Sequence, residues 1–203
     1  MRRFDLIALD LGNVLSMVDE QPATLQLAEM CGRAEAEVFE AVFSPERKAV
    51  FEAGAESWED HALRAIDSLK LQMTLEQFRS VYESVLTPNQ AIFPLIDRLA
   101  ASYRLALCSN TAAPHWNLER GRLPFGNRFD PAIVSYLVGA MKPDRRIYET
   151  LAREACVAPG RILFIDDRQD NVDGARLAGI TAVRYTGLAQ LEDDLSELGV
   201  LPC

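Results

Sequence analysis

The chain carries a short apolar stretch near its start, Phe4-Asp5-Leu6-Ile7-Ala8-Leu9-Asp10-Leu11-Gly12-Asn13-Val14-Leu15. Apart from Asp5, residues 4–9 are apolar, and this run is too short for an amphipathic helix. It therefore predicts a strand that is buried on both faces, as in a parallel sheet. Asp10 follows at the carboxyl end of that strand, and Gly12-Asn13 predicts a sharp turn directly after it.

Asp10 is the first candidate functional residue. Open α/β sheets bind ligands outside the carboxyl ends of their strands, where a carboxylate can act as a nucleophile or as a metal ligand. Asp and Asn also favour turns through local hydrogen bonds, so this stretch alone is equally compatible with Asp10 simply starting a turn. The rest of the chain decides between these two roles.

The composition is that of an ordinary globular protein of one or two domains. Of 203 residues, 49% are hydrophobic and 25% are charged, which suffices for one good core and a smaller appendage. The formal net charge of -9 argues against sequence-independent nucleic-acid binding, and an anionic substrate would need a local cation. No apolar run approaches the roughly 20 residues that span a membrane. The first residues lack a signal-like apolar region, so we expect a cytoplasmic protein without a membrane partner.

The cysteines carry no functional signal. Their spacing matches no metal site, and two of them lie in apolar sequence, where a free thiol behaves as a small hydrophobe. They are Cys31, Cys108, Cys156 and Cys203.

The region from about residue 21 to residue 101 is predicted to be helical throughout, with no strand signal after Leu15. Pro22 predicts a helix that ends at Cys31-Gly32, and further helices are predicted to end at Phe43 and to span 45–53, 58–70, 75–86 and 90–101. Thr74 with Gln77 matches a capping box in full, and Ser57 with Asp60 matches it weakly. This region is predicted to contain the appendage.

Strands and helices alternate in the second half of the chain. Apolar runs predict strands over 103–108, 133–135, 161–165 and 180–185, whereas 112–130 is predicted to be irregular. Pro143 is predicted to open a helix that runs to about Cys156, and a later helix is predicted to end at Gly179. This alternation is typical of an α/β fold with a doubly wound parallel sheet.

The predicted strand ends bring polar side chains to one edge of the sheet, namely Asp10, Ser109 and the pair Asp166-Asp167. Adjacent buried carboxylates persist best beside a cation, and Mg²⁺ prefers oxygen ligands of this kind, so Asp10 and Asp166 are predicted to bracket it. Lys142, at the predicted start of a helix, opposes the helix dipole at a cost of about 0.3–1 kcal/mol unless an anion is near. This combination is what attack on an anionic phosphate requires.

Four motifs occur in the order that is typical of the haloacid dehalogenase superfamily, and the chain resembles this family over essentially its whole length. The motifs are Asp10-Leu11-Gly12-Asn13-Val14, Ser109-Asn110-Thr111, Lys142-Pro143 and Asp166-Asp167. The resemblance implies a Rossmann-like core of residues 1–15 and 89–203. It also implies a small all-helical cap, residues 16–88, inserted after the first strand.

The same resemblance implies a role for each motif residue. Asp10 would be the nucleophile that forms an aspartyl-phosphate, with Lys142 and Ser109 as its catalytic partners. The phosphate would be held by Ser109, Asn110 and Lys142, with His115 as a further substrate-binding candidate. Mg²⁺ would be bound by Asp10, the Gly12 carbonyl and Asp166, with Asp167 as a secondary metal ligand or a partner of Lys142.

Gly12 departs from the usual pattern of the family. Most phosphatases of the superfamily place a general acid and base at this position, two residues after the nucleophile. The same Gly occurs in the bacterial α-D-glucose-1-phosphate phosphatases, the subgroup that phrases such as DLGNVL and MKPDRRIYE resemble. His115 and Asp19 are candidate substitutes, although a solvated or turn-forming role is the more ordinary one for each.

Three functional hypotheses remain at this point. The leading one is a Mg²⁺-dependent phosphatase for a small soluble phosphomonoester, with a sugar 1-phosphate as the first choice because an anomeric leaving group needs less proton assistance. The first alternative is a haloacid dehalogenase, for which the Asp166-Asp167 pair would have no purpose. The second is a catalytically idle module that retains a phosphate pocket, and its support is Gly12. Oligomeric state is not predicted.

Overall fold

The computed structural model describes residues 2–201, and Cys203 lies outside the described residues. The strands are β1 Leu6–Leu9, β2 Ser16–Val18, β3 Leu86–Pro88, β4 Arg104–Ser109, β5 Phe129–Val134, β6 Ile162–Asp166 and β7 Thr181–Arg184. A parallel five-stranded sheet with the order β5-β4-β1-β6-β7 forms the centre of the fold. A separate pair, β2 and β3, forms a short antiparallel ribbon.

The central strand β1 is buried on both faces, as its sequence predicts. Ile7 and Leu9 belong to one hydrophobic cluster, whereas Leu6 and Ala8 belong to the cluster on the opposite face. Because both faces are covered, the strand needs no polar alternation, and the predicted α/β fold with a doubly wound parallel sheet is confirmed.

Helices cover both faces of the sheet. The first face is covered by α6 Phe93–Ala100, α7 Ala113–Arg122 and α11 Leu188–Glu197. The second face is covered by α9 Arg145–Ala155 and α10 Gln169–Leu177, and the short α8 Ser135–Val138 follows β5. Among the described residues, no helix is both long and apolar enough to cross a membrane.

A helical segment lies between β2 and β3 and contains its own hydrophobic cluster. Its helices are α1 Gln21–Cys31, α2 Glu35–Val42, α3 Pro45–Glu52, α4 Trp58–Leu69 and α5 Leu75–Glu83. The capping box of Thr74 and Gln77 is present, and the Asp60 backbone N–H donates to Ser57 Oγ at 3.0 Å. Both ends of the segment meet in the β2–β3 ribbon, so the chain enters and leaves the segment through two adjacent strands.

The structure corrects three sequence predictions. A strand does follow Leu15, because Ser16–Val18 pairs with Leu86–Pro88, and both strands are too short for a periodic pattern to identify them. The predicted irregular stretch contains the helix Ala113–Arg122, with Pro114 in its first turn, where a missing N–H is tolerated. The helix predicted to begin at Pro143 begins instead at Arg145, and the Asp144 side chain accepts a hydrogen bond from the Arg146 backbone N–H.

Candidate active site

A cavity of about 470 Å³ lies at the carboxyl ends of β1 and β4. Its floor includes Asp10 and Ser109 at these strand ends and Lys142 from the loop between α8 and α9. Its opposite wall comes from the helical segment and includes Glu20, Lys48, Glu52 and Tyr82. The position is the one that parallel α/β sheets use for ligands, because strand ends and helix starts converge there.

Asp10, Lys142 and Asp166 form a buried charged cluster at this floor. Lys142 Nζ lies 2.8 Å from Asp10 Oδ1 and 2.6 Å from Asp166 Oδ2, and it also donates to the Cys108 carbonyl at 2.9 Å. Asp166 is fully buried, and Lys142 and Asp10 are only 4% and 7% exposed. The turn prediction for Asp10 is thus incomplete, because its carboxylate also pairs with residues far away in the sequence.

Burial and charge act in opposite directions on this cluster. Loss of water raises the pKa of Asp10, Lys142 acts to lower it, and Asp166 adds to the rise, so the net direction is upward. Burial acts to lower the pKa of Lys142, but the attraction of Asp10 and Asp166 outweighs it, and that pKa rises. Lys142 therefore stays protonated and supplies a fixed positive charge next to Asp10.

Asn171 and the backbone of Arg168 hold Asp166 in place. Asn171 Nδ2 donates to both carboxylate oxygens of Asp166, at 3.0 and 3.1 Å, and the Arg168 N–H donates to Oδ1 at 2.9 Å. Asn171 was not predicted as a site residue from the sequence. Its one local signal is that it lies in the first turns of the helix that follows Asp166-Asp167.

The Asn110 side chain holds the Lys142 backbone. The Lys142 N–H donates to Asn110 Oδ1 at 2.7 Å, and Asn110 Nδ2 donates to the Lys142 carbonyl at 2.9 Å. Ser109 is fully buried beside Asp10, and its hydroxyl acts to lower the pKa of Asp10. The prediction that Lys142 opens a helix is wrong, because α9 begins at Arg145. The positive charge of Lys142 is instead paired with Asp10 and Asp166.

Gly174 allows α10 to approach the Lys142 loop. A Cβ atom at Gly174 would lie 2.7 Å from Pro143 Cβ and 2.9 Å from the Pro143 carbonyl oxygen, and real Cβ atoms do not approach that closely. Any larger side chain would force the loop and the helix apart. A helix that packs behind the site therefore constrains the position of Lys142.

Three carboxylates at the floor offer a set of ligands for a metal ion. Oxygen atoms of Asp10, Asp166 and Asp167 all lie within 4.8 Å of one another. Asp167 also accepts a hydrogen bond from Asn13 Nδ2 at 3.2 Å. The donor set consists of hard oxygens, and one Lys does not balance three carboxylates, so these residues fit a divalent cation such as Mg²⁺.

Residues of the four motifs thus lie together at one edge of the sheet. A comparison with protein families identifies the family of the chain. The family model described as haloacid dehalogenase-like hydrolase matches residues 4–179. The chain belongs to this hydrolase family.

Two solved structures illustrate how widely the fold of this hydrolase family is shared. The family enzyme BT-2542 of Bacteroides thetaiotaomicron, crystallised with magnesium and inorganic phosphate, has a TM-score of 0.82 at 19% identity. The match covers 93% of this chain and 98% of that one. The L-2-haloacid dehalogenase of Xanthobacter autotrophicus has a TM-score of 0.66 at 18% identity, covering 98% of this chain and 85% of that one.

A relative with a curated name is Phosphatase MT3486 of Mycobacterium tuberculosis (strain CDC 1551 / Oshkosh), which is 40% identical over 76 residues. This match covers 36% of the chain and 35% of that protein. The chain therefore spans only about a third of the length of this relative.

Gly12 is not required by the backbone of this hydrolase. A Cβ atom there would lie 3.4 Å from Val18 Cγ2 and meet nothing closer, and the residue does not adopt a left-handed conformation. The neighbouring Asn13 does, with a φ of 53°, so the tight turn is made at Asn13. A side chain of modest size can therefore be accommodated at position 12.

The two sequence candidates for an acid and base, His115 and Asp19, each contact residues of the helical segment. His115 lines the cavity, but its ring stacks on Tyr82 at 4.3 Å and its Nε2 lies 3.0 Å from the Tyr82 carbonyl. Burial lowers the pKa of His115 to about 4. Asp19 is exposed, and its Oδ1 accepts a hydrogen bond from the Gln21 N–H at 3.1 Å, as a turn-forming residue does.

The charged residues on the helical wall were missed by the sequence analysis. Lys48 Nζ lies 2.6 Å from Glu20 Oε1, and Glu52 stands one turn beyond Lys48 on α3. The available signal was the spacing of Lys48 and Glu52, four residues apart on a predicted helix, but the same spacing is common on solvated helix faces. Only the fold brings the Lys48 and Glu52 side chains into the cavity that Asp10 also lines.

Proposed function

We propose that this hydrolase is a Mg²⁺-dependent phosphatase that cleaves a small soluble phosphomonoester through an aspartyl-phosphate on Asp10. The observation that carries the proposal is the buried contact between Asp10 and Lys142, beside two further carboxylates at the same strand ends. An anionic nucleophile can approach an anionic phosphate only where fixed positive charge offsets the repulsion, and Lys142 supplies such charge. The phosphatase name of the mycobacterial relative supports the same reaction class.

Each residue has a defined task in this proposal. Asp10 attacks phosphorus, while Lys142 neutralises charge on the transferring group and keeps Asp10 oriented through their 2.8 Å contact. Ser109 donates to the phosphate from beside Asp10, and Asn110 fixes the Lys142 backbone. Asp10, Asp166, Asp167 and the Gly12 carbonyl are the residues that would hold Mg²⁺. When bound, Mg²⁺ supplies positive charge to the phosphate oxygens.

The helical segment is proposed to act as a cap over a core of residues 1–15 and 89–203. Residues 16–88 place Glu20, Lys48 and Tyr82 in the cavity wall that faces Asp10. A wall at this position excludes bulk water from the reacting groups and contacts the part of the substrate beyond the phosphate. Its charged groups suit a polar leaving group.

A sugar 1-phosphate is the preferred substrate in this proposal. Because position 12 carries no carboxylic acid, esters that release a more stable oxyanion should react faster than simple alkyl phosphates. An anomeric hydroxyl is such a leaving group. The resemblance of sequence phrases such as DLGNVL to those of glucose-1-phosphate phosphatases supports the same choice.

The test is phosphate release from p-nitrophenyl phosphate with Mg²⁺ and with EDTA, by the wild-type chain and by Asp10→Asn. We expect activity with Mg²⁺ only, and its loss in the variant because an amide is a poor nucleophile. Full activity in EDTA would contradict the metal assignment. Chloride release from 2-chloropropionate would favour a dehalogenase, and phosphate binding without turnover would favour an idle module.

A further inference from the structure

Because position 12 carries no acid or base, two proton transfers in phosphate-ester hydrolysis have no assigned residue. Cleavage of an alkyl or sugar phosphate releases an oxygen that needs a proton. Water that attacks the aspartyl-phosphate must then lose one. Gly12 has no side chain to perform either proton transfer, so another group in the cavity must perform both.

Glu52 is a free carboxyl group inside this cavity. It is the last residue of α3, is 9% exposed, and lines the same space as Asp10 and Lys142. Within residues 2–201, its side chain makes no hydrogen bond and no ion pair. A carboxyl that is buried without a partner normally has a reason to be there, because its desolvation is not repaid.

The groups around Glu52 favour a carboxyl that exchanges its proton near neutral pH. Loss of water raises the pKa of Glu52 to about 7, and the negative charges of Glu20 and Asp10 add to the rise. Lys48 and Lys142 act in the opposite direction. A group with such a pKa can donate and accept protons at working pH.

Other groups in the cavity meet these requirements less well. Burial lowers the pKa of His115 to about 4, so its ring is a neutral imidazole at neutral pH and a far weaker acid than a carboxyl group. Burial of its hydroxyl holds the pKa of Tyr82 well above its ordinary value, so Tyr82 stays protonated and is a weak acid. Glu20 is ion-paired with Lys48 at 2.6 Å. Glu52 is thus the unpaired carboxyl that faces Asp10 from the helical segment.

We infer that Glu52 is the general acid and base of this hydrolase, supplied by the helical segment in place of the carboxylate missing at Gly12. The inference rests on the proposed phosphatase function. In the first step Asp10 bonds to phosphorus, the ester P–O bond breaks, and the departing oxygen takes the proton of Glu52. In the second step Glu52 takes a proton from water, whose oxygen bonds to phosphorus. The Asp10–phosphorus bond breaks, which restores both carboxyls and releases inorganic phosphate.

The experiment compares p-nitrophenyl phosphate with benzyl phosphate, two esters of similar size whose leaving groups differ in their need for a proton. In Glu52→Gln we expect kcat/KM for benzyl phosphate to fall by about 100- to 10,000-fold. With p-nitrophenyl phosphate the first step should persist and the second should slow. A rapid-mixing experiment should then show a burst of about one p-nitrophenolate per chain, with phosphate retained on Asp10.

The control is Glu46→Gln, which removes the same charge from an exposed position on the same helix and should leave both rates unchanged. Glu52→Asp keeps an acid and should recover part of the loss with benzyl phosphate. An equal loss on both esters without a burst, or no recovery in Glu52→Asp, would show that Glu52 acts only through packing. A wild-type chain that is inactive on both esters would instead overturn the proposed phosphatase function itself.

Discussion

Replacing Glu52 with Gln should make the stability of the protein less dependent on pH. The pKa of Glu52 rises from its ordinary value of 4.5 to about 7 on folding, because burial disfavours the charged carboxylate. Its protonated form therefore stabilises the fold below about pH 4.5, and this contribution is lost as the pH rises to about 7. Gln has nearly the same shape and does not titrate.

The expected size of the effect follows from the pKa change. At about 1.4 kcal/mol per pKa unit, the wild-type chain should lose about 3 kcal/mol between acid and neutral pH through this residue. Glu52→Gln should therefore match the wild type at about pH 4.5 and exceed it by up to about 3 kcal/mol at pH 8.5. For a chain of this size, that corresponds to a gain in Tm of roughly 6–12 °C.

Urea unfolding at these two pH values, in EDTA, measures the difference directly. Titrating groups that do not interact with Glu52 are present in both chains, so their contributions cancel in the comparison. A difference between the two chains that does not change with pH would refute the reasoning, because it would mean that Glu52 titrates alike in the folded and unfolded states.

Three further predictions concern the floor of the site. Lys142→Met should reduce the free energy of unfolding at neutral pH by about 3–5 kcal/mol, because two buried carboxylates lose their counter-charge. Urea unfolding in EDTA measures this loss, which should be smaller at acid pH. Gly174→Ala should force α10 away from Pro143 and cost about 1–3 kcal/mol, with a larger Mg²⁺ requirement for phosphate release; unchanged stability and activity would contradict the close approach. Wild-type kcat/KM should be higher for glucose 1-phosphate than for glucose 6-phosphate. If proton donation causes this difference in kcat/KM, Gly12→Asp should reduce it. An unchanged difference in a folded, metal-binding variant would locate the substrate selectivity in the helical segment.

The sequence alone determined the parallel sheet and the edge at which the candidate site residues meet. The run around Leu6–Leu9 is apolar without alternation, which is typical of a strand buried on both faces. Parallel topology then brings the residues after each strand to one edge. Asp10, Ser109 and Asp166 could therefore be grouped before their distances were known. Helix starts with side-chain caps, such as Thr74, were equally readable because capping is local.

Secondary-structure elements without a local sequence pattern could not be predicted from the sequence. The strands Ser16–Val18 and Leu86–Pro88 are too short to show a period, and they exist because they pair with each other across the helical segment. The helix Ala113–Arg122 contains Pro, Gly and few apolar residues, so its stability comes from packing of residues such as Trp116 against the sheet.

Only the tertiary structure decided which residues complete the site. Asn110 on the Lys142 backbone and Asn171 on Asp166 are specific hydrogen bonds, whose partners no spacing rule identifies. The arrangement of Glu52 and Lys48 opposite Asp10 depends on how one helical surface docks over a sheet edge. That docking is set by shape and buried area summed over many side chains, and no single stretch of sequence encodes it.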